Sequence, residues 1–175
     1  MTAARRQTVA LLVAIVVVML LDTAVRWGAA PPPPPPILAG FTAARADRIQ
    51  IGRVDHALVL ERRSDVWWLM GPPEAPADPV AVAALLDDLA GGIQPEAVAD
   101  AGHHERYGLS GGDERRIEVT AGDDVLMRLF VGHDAAGGGT WVRFPDSDRV
   151  LRADIGGRGR LDRPAGAWRD RASIP

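Results

Sequence analysis

An uncharged, strongly apolar run from Thr8 to Leu21 divides this chain before any folding argument begins. Arg5 and Arg6 precede the run, Asp22 follows it, and Arg26 and Trp27 come one turn later. A membrane-spanning helix needs about 20 residues, more than the uncharged stretch alone supplies. The stretch also has the length of a signal-peptide core, so cleavage is the competing reading. A helix continued through Trp27 reaches spanning length, with Asp22 and Arg26 placed to pair near the interface. Trp27 then lies in the aromatic belt. Gly28-Ala29-Ala30 offers small residues for a cleavage site, but Pro31 follows directly and obstructs the cut. The expectation is an uncleaved single-pass anchor over residues 1–30 of a bacterial inner membrane. The arginine pair sets it N-inside, which leaves everything beyond it in the periplasm.

Pro31 to Pro36 is an unbroken proline run. It predicts a polyproline II spacer over residues 31–40, at about 3.1 Å per residue, holding the next segment roughly 20 Å off the membrane. Residues 41–175 are then expected to form a single domain of ordinary size, large enough to bury a core without disulfides or metal. The chain has no cysteine, which excludes thiol catalysis, thiolate metal sites and a lipidated cysteine at the boundary. All 20 basic residues are arginine, against 23 acidic ones, for a net charge of −3. The arginines alternate with Asp and Glu instead of clustering, so no nucleic-acid footprint emerges.

The domain reads as short strands and turns around one long helix. Arg48-Ile49-Gln50-Ile51 alternates polar and apolar, Ala57 to Arg62 is a second run, and Val66-Trp67-Trp68-Leu69 follows the turn Arg63-Ser64-Asp65. Gly71-Pro72-Pro73 ends strand structure. Asp78 is a helix N-cap, Pro79 the first helical residue, and Gly91-Gly92 the stop. Val82, Leu85, Leu86 and Leu89 share a face expected to pack on a sheet, with Asp88 on the opposite, solvated side. Gly102 to Leu109 suggests a helical turn. Further strands are expected at Arg115 to Ala121, Val125 to Val131, Thr140 to Phe144 and Arg149 to Ala153, with a loop from Gly132 to Gly139. The fold class is α+β, mostly antiparallel hairpins with one main packed helix. Both halves show strand, turn, strand, strand, a faint internal similarity.

Several motifs could carry chemistry. Gly108-Leu109-Ser110-Gly111-Gly112 matches the nucleophile-elbow pattern, but an elbow needs a strand before the serine and a helix after it, whereas here a strand follows. His103 and His104 are adjacent, and neighbours on a helix point about 100° apart, unlike a zinc pair at i, i+4. Asp146-Ser147-Asp148 lacks the glycine and glutamate of a calcium loop and reads as a hairpin turn. Gly137-Gly138-Gly139 lies between strands and offers no phosphate cradle. No catalytic residue, cofactor or metal is expected. Among five tryptophans, Trp67, Trp68 and Trp141 fall on strands. Adjacent Trp67 and Trp68 must face opposite sides, so one belongs to the core and the other lies either under the helix or at a contact surface; Trp67, Trp68 and Trp141 are the candidate partner contacts.

The order of these features is itself informative. Asp47-Arg48-Ile49-Gln50-Ile51, Val66-Trp67-Trp68-Leu69, and the Ala77-Asp78 helix ending Leu85-Leu86-Asp87-Asp88-Leu89 come first. Tyr107-Gly108-Leu109, Leu129-Phe130-Val131-Gly132, Trp141-Val142-Arg143, Val150-Leu151 and Trp168-Arg169-Asp170 follow. Over residues 40–172 this resembles a bacterial family of unknown function found in membrane-anchored proteins encoded beside ABC-type transporter and gliding-motility auxiliary components. That family has no established catalytic residues, and its members often repeat the domain; this chain carries one copy. The resemblance implies a non-enzymatic accessory subunit of an envelope complex containing an ABC-type permease. Two alternatives stay open: a periplasmic binding module for a small ligand or lipid, and an envelope serine hydrolase using Ser110.

Overall fold

The computed structural model describes residues 41–53, 56–91, 93–99 and 102–173. The chain separates into two compact units, Met1–Pro33 and Pro34–Pro175, and every described residue belongs to the second. The expected anchor over residues 1–30 and the proline spacer over 31–40 lie outside the described residues. Among the described residues no helix is long and apolar enough to cross a membrane.

Among the described residues, nine strands form one antiparallel sheet. The first group is β1 (Arg48–Arg53), β2 (His56–Arg63), β3 (Val66–Met70) and the short β4 (Ala75–Pro76). Helix α1 (Pro79–Gly91) leads to β5 (Ile93–Ala99). The second group is β6 (Arg115–Ala121), β7 (Asp124–Asp134), β8 (Thr140–Arg143) and β9 (Val150–Ala153). A one-turn helix, α2 (Arg158–Leu161), and two 3-10 turns complete the chain. The strand order is β4-β3-β2-β1-β6-β7-β8-β9-β5. Two meanders therefore stand back to back, joined by the β1–β6 seam, with α1 carrying the chain from one edge of the sheet to the other. This gives the faint internal similarity of the two halves a structural form.

The hairpins follow from local chemistry. Ser64 (φ 48) and Asp65 (φ 67) both adopt positive φ between the paired Arg63 and Val66, as a two-residue hairpin loop with the right twist requires. In the Gly122-Asp123 loop between Ala121 and Asp124 the positive φ falls on Gly122 (φ 56), and the Asp47 carboxylate accepts from the Gly122 N–H at 2.6 Å. Strand alternation then sorts side chains to two faces. Leu69, Leu60, Ile49, Val119 and Met127 pair across five strands to form one inner row. Ile51, Ile117 and Leu129 form the next, and Val131, Val142 and Leu151 the third. All of these are buried.

Helix α1 covers this inner face. The Asp78 carboxylate accepts from the Val80 and Ala81 N–H groups at 2.9 and 3.2 Å, which caps the helix as expected. Val82, Leu85, Leu86 and Leu89 are buried in the same core. Asp88 departs from expectation: it forms an ion pair with Arg160 of α2, so this flank of the helix is tied to the C-terminal segment rather than left to solvent. That segment is given no secondary structure by the sequence alone. It returns along the β4 edge, where Ala77 bridges Arg169 and Asp78 N donates to Trp168 O at 2.9 Å. Trp168, only 1 % exposed, becomes a core residue.

Three other differences concern strands. β5, Ile93–Ala99, forms where no strand is expected from the sequence. β4 forms after the proline turn that was expected to end strand structure, although it lasts only two residues. β7 runs through Asp134, into the expected Gly132 to Gly139 loop.

Candidate functional site: an open sheet face and an arginine-rimmed cleft

The outer face of the sheet splits into a covered and an uncovered part. Over β7 to β9 it is closed by the segment from Gly102 to Leu109, which contains the 3-10 turn His104–Tyr107. Gly132 makes this possible, because a Cβ there would meet Tyr107 O at 1.9 Å. Gly108, at φ 67, lies so close to the His133 ring that a Cβ would approach it within 2.5 Å. His104 Nε2 is 3.0 Å from Asp148 O, and the Tyr107 and Trp141 rings meet edge to face at 5.1 Å. Leu109 is buried beneath this flap.

The three candidate tryptophans therefore have different settings. Trp67 faces inward and packs against the core. Trp68 faces outward, half-buried, paired in register with Glu61 on β2 and Pro76 on β4. Trp141 also faces outward but lies under Tyr107. The structure does not bring the three together.

Beside Trp68 the uncovered face carries a ladder of opposite charges. Arg48 donates to Glu61 at 2.6 Å, and Arg63 reaches both Glu61 (3.4 Å) and Glu74 (3.2 Å). Glu118 accepts from Arg128 Nε at 2.7 Å and from Arg116 at 2.5 Å. The Arg128 hydrogen bond holds the Glu118 carboxyl below the usual carboxylate range, partial burial opposes it, and Arg116 adds to the lowering. Glu118 in turn raises the Arg128 guanidinium above its ordinary value. The Arg143 guanidinium sits over the Phe130 ring at 4.7 Å, a cation–π contact.

The remaining motifs fall in turns. Ser110 follows the 3-10 turn and a left-handed Gly108, then leads through Gly111-Gly112 into β6, so no strand-turn-helix elbow is built around it. His103 and His104 diverge, one 3.7 Å from Glu105 and the other held at Asp148 O. Ser147 Oγ accepts from Arg149 N at 3.2 Å in the turn before β9. The Gly137 to Gly139 loop reverses the chain between β7 and β8, with Ala135 N donating to Gly139 O at 2.8 Å.

A concavity lies at one end of the sheet. It has a volume of about 470 Å³. Ile51, Leu58, Leu69 and Leu161 contribute apolar lining, and the Gly71-Pro72-Pro73 turn forms one wall. Arg53, Arg115, Arg163 and Arg169 stand around it, with His56 and one carboxylate, Asp162. Asp162 is already engaged, accepting from Arg115 Nε at 2.5 Å and lying 3.5 Å from Arg158. Among the described residues Arg53, Arg163 and Arg169 have no acidic partner, and Arg169 Nε is buried without a hydrogen bond. The site was not foreseen, since its residues are scattered from position 51 to position 169. The local signal was the arginine-rich stretch Arg158 to Arg171.

Neither the curated proteins nor the solved structures contain a match to this chain. A family match does cover residues 67–174, from β3 into the C-terminal segment, and leaves β1 and β2 upstream of it. Because that match spans more than half of the sequence, the chain belongs to the family described as a domain of unknown function, DUF4340.

Proposed function

We propose that this chain is a non-enzymatic, membrane-anchored accessory subunit of a bacterial envelope complex, with an ABC-type permease as the partner that the family resemblance implies. Its apolar N-terminal run is the single-pass, N-inside anchor, and the described domain lies in the periplasm. The observation that carries the partner contact is Trp68, half-buried on the uncovered outer face and flanked by the Arg48–Glu61 pair. Aromatic anchors among arginines are the residue types that dominate interface energetics. Trp67 and Trp141 are engaged within the domain and contribute through packing.

Co-purification of the full-length chain from membranes, read by mass spectrometry, tests this. A discrete integral-membrane partner should accompany the native protein and be lost with Trp68→Ala, while the protein itself resists carbonate extraction. Recovery of the chain alone would remove the accessory-subunit reading. An unchanged partner set with Trp68→Ala would remove the contact.

The cleft favours a second reading, a periplasmic module that binds a small ligand or lipid. Its apolar lining and few polar groups fit the usual make-up of such sites, which span about 300–1,000 Å³. The hydrolase alternative draws no support from Ser110, whose turn feeds a strand.

A further inference from the structure

We propose that the cleft binds an amphipathic anion: an acyl chain laid on the leucine floor, with its carboxylate or phosphate head held by Arg53, Arg163 and Arg169. The proposal rests on the binding-module reading and names its ligand class.

Three observations support it. The floor is aliphatic and comes from separate elements: Ile51 and Leu58 from the β1–β2 hairpin, Leu69 from β3 and Leu161 from α2. Ile51, Leu69 and Leu161 are at most 5 % exposed and belong to the core, so the cleft continues the core outward. An apolar chain placed there gains by leaving water.

Among the described lining residues, cations outnumber anions. Asp162 is the one acidic lining residue described, and Arg115 and Arg158 already neutralise it. Arg53 and Arg163 are exposed and project from different elements, and Arg169 contributes a third cation. Cations converging on a concave, low-dielectric surface raise the local concentration of anions. Guanidinium groups suit this task because their fork geometry matches carboxylate and phosphate oxygens.

Arg169 supplies the third observation. Its Nε is buried and has no hydrogen-bond partner among the described residues, although Arg169 itself lines the cleft. A buried donor left unpaired is costly, and an anionic acceptor would satisfy it. The neutral alternative, a purely apolar ligand, leaves all three guanidiniums idle. A cationic amphiphile is repelled by them.

The test uses the full-length chain in phosphatidylcholine nanodiscs, so that the anchor keeps its lipid. A decanoate bearing a photoactivatable diazirine is cross-linked, and the labelled peptides are mapped by mass spectrometry. Labelling should concentrate on peptides containing Leu58, Leu69 to Pro73 and Leu161 to Arg169. Unlabelled decanoate and decyl phosphate should compete, the stronger of the two identifying a fatty-acid or a lipid-phosphate source. Decanol and decyltrimethylammonium should not compete. The double variant Arg53→Gln and Arg163→Gln changes only exposed side chains and should reduce labelling at least tenfold, whereas Arg106→Gln on the outer flap should leave it unchanged. A thermal melt of each variant checks that the fold is retained.

Equal competition by decanol would overturn the anionic ligand class while leaving an apolar binding module in place. Labelling spread over the domain without enrichment at the cleft would overturn both the ligand class and the module. Full labelling in a folded double variant would overturn the role assigned to the arginines.

Discussion

On the inner face of the sheet, three rows of Ile, Leu, Val and Met close against α1, and the side chains of these rows are all apolar. On the outer face of the same strands, Arg48 pairs with Glu61 and Arg128 with Glu118 across the register, Arg116 joins Glu118 along β6, and the flap at His104–Tyr107 covers part of the face. The comparison separates two kinds of stability. The inner face gains by removing area from water, a term that grows with burial and tolerates no vacancy. The outer face gains little from each pair, because part-exposed ions remain solvated. It does gain register, since Arg128 and Glu118 face each other only when β6 and β7 are correctly aligned. The same polarity leaves it free to meet something else.

The largest expected effect lies inside. Leu85→Ala, at a fully buried position, should cost roughly 2–5 kcal/mol in chemical denaturation. The control is Asp87→Ala on the exposed side, which should change almost nothing. Asp88 is unsuitable as that control because it holds Arg160. If Leu85→Ala melted normally, α1 would not be the lid of this core.

Next comes the boundary between covered and uncovered outer face. Gly132→Ala should cost about 1–3 kcal/mol, because the new methyl group occupies the place of Tyr107 O. It should also lift the flap, and the fluorescence of Trp141 should shift as Tyr107 leaves its edge. A silent substitution would mean that the flap does not seat on β7.

The helix cap ranks third. Asp78→Ala should lower stability by about 1 kcal/mol, through loss of the carboxylate oxygen that accepts from two N–H groups at the start of α1.

The smallest effect belongs to the outer ladder. Glu118→Gln should cost about 1 kcal/mol or less near neutral pH. Glu118 has a folded pKa below its unfolded one, so its contribution is complete above the unfolded value and disappears as pH falls through the folded value. Denaturation curves of native and variant protein should therefore converge as acidification protonates Glu118 in the folded state. A difference that persists in acid would assign the effect to packing and not to charge.

What was legible follows the same division. Asp78, Pro79 and the leucine spacing announced α1 because cap and period are local. Ile49, Ile51, Ile117 and Val119 announced their strands because alternation is local. β5 was missed: Ile93 to Ala99 contains Pro95 and no alternation, and its pairing partner β9 lies far along the chain. Trp168 was missed for a related reason. Its short 3-10 turn has no periodicity, and burial comes from meeting α1 and β4. The cleft was invisible because Ile51, Leu69 and Leu161 acquire a common purpose only after strand order is set. Of the tryptophans, alternation was enough to part Trp67 from Trp68 but not to foresee the flap over Trp141.

The β1–β6 seam has a consequence in time. Each meander is assembled from neighbouring hairpins, which close in microseconds. Ile49 must wait for Val119, across a loop of about 70 residues, before the seam can zip. A chain emerging from its N-terminus therefore displays Ile49, Ile51, Leu60 and Leu69 as a bare apolar panel until the second meander arrives. During that interval the unpaired edge of β1 is a template for any other strand nearby. The native molecule hides that edge at the centre of its sheet, where a finished domain has no access to it. The risk of misassembly is thus confined to the interval before the second meander folds, and it ends when β6 docks.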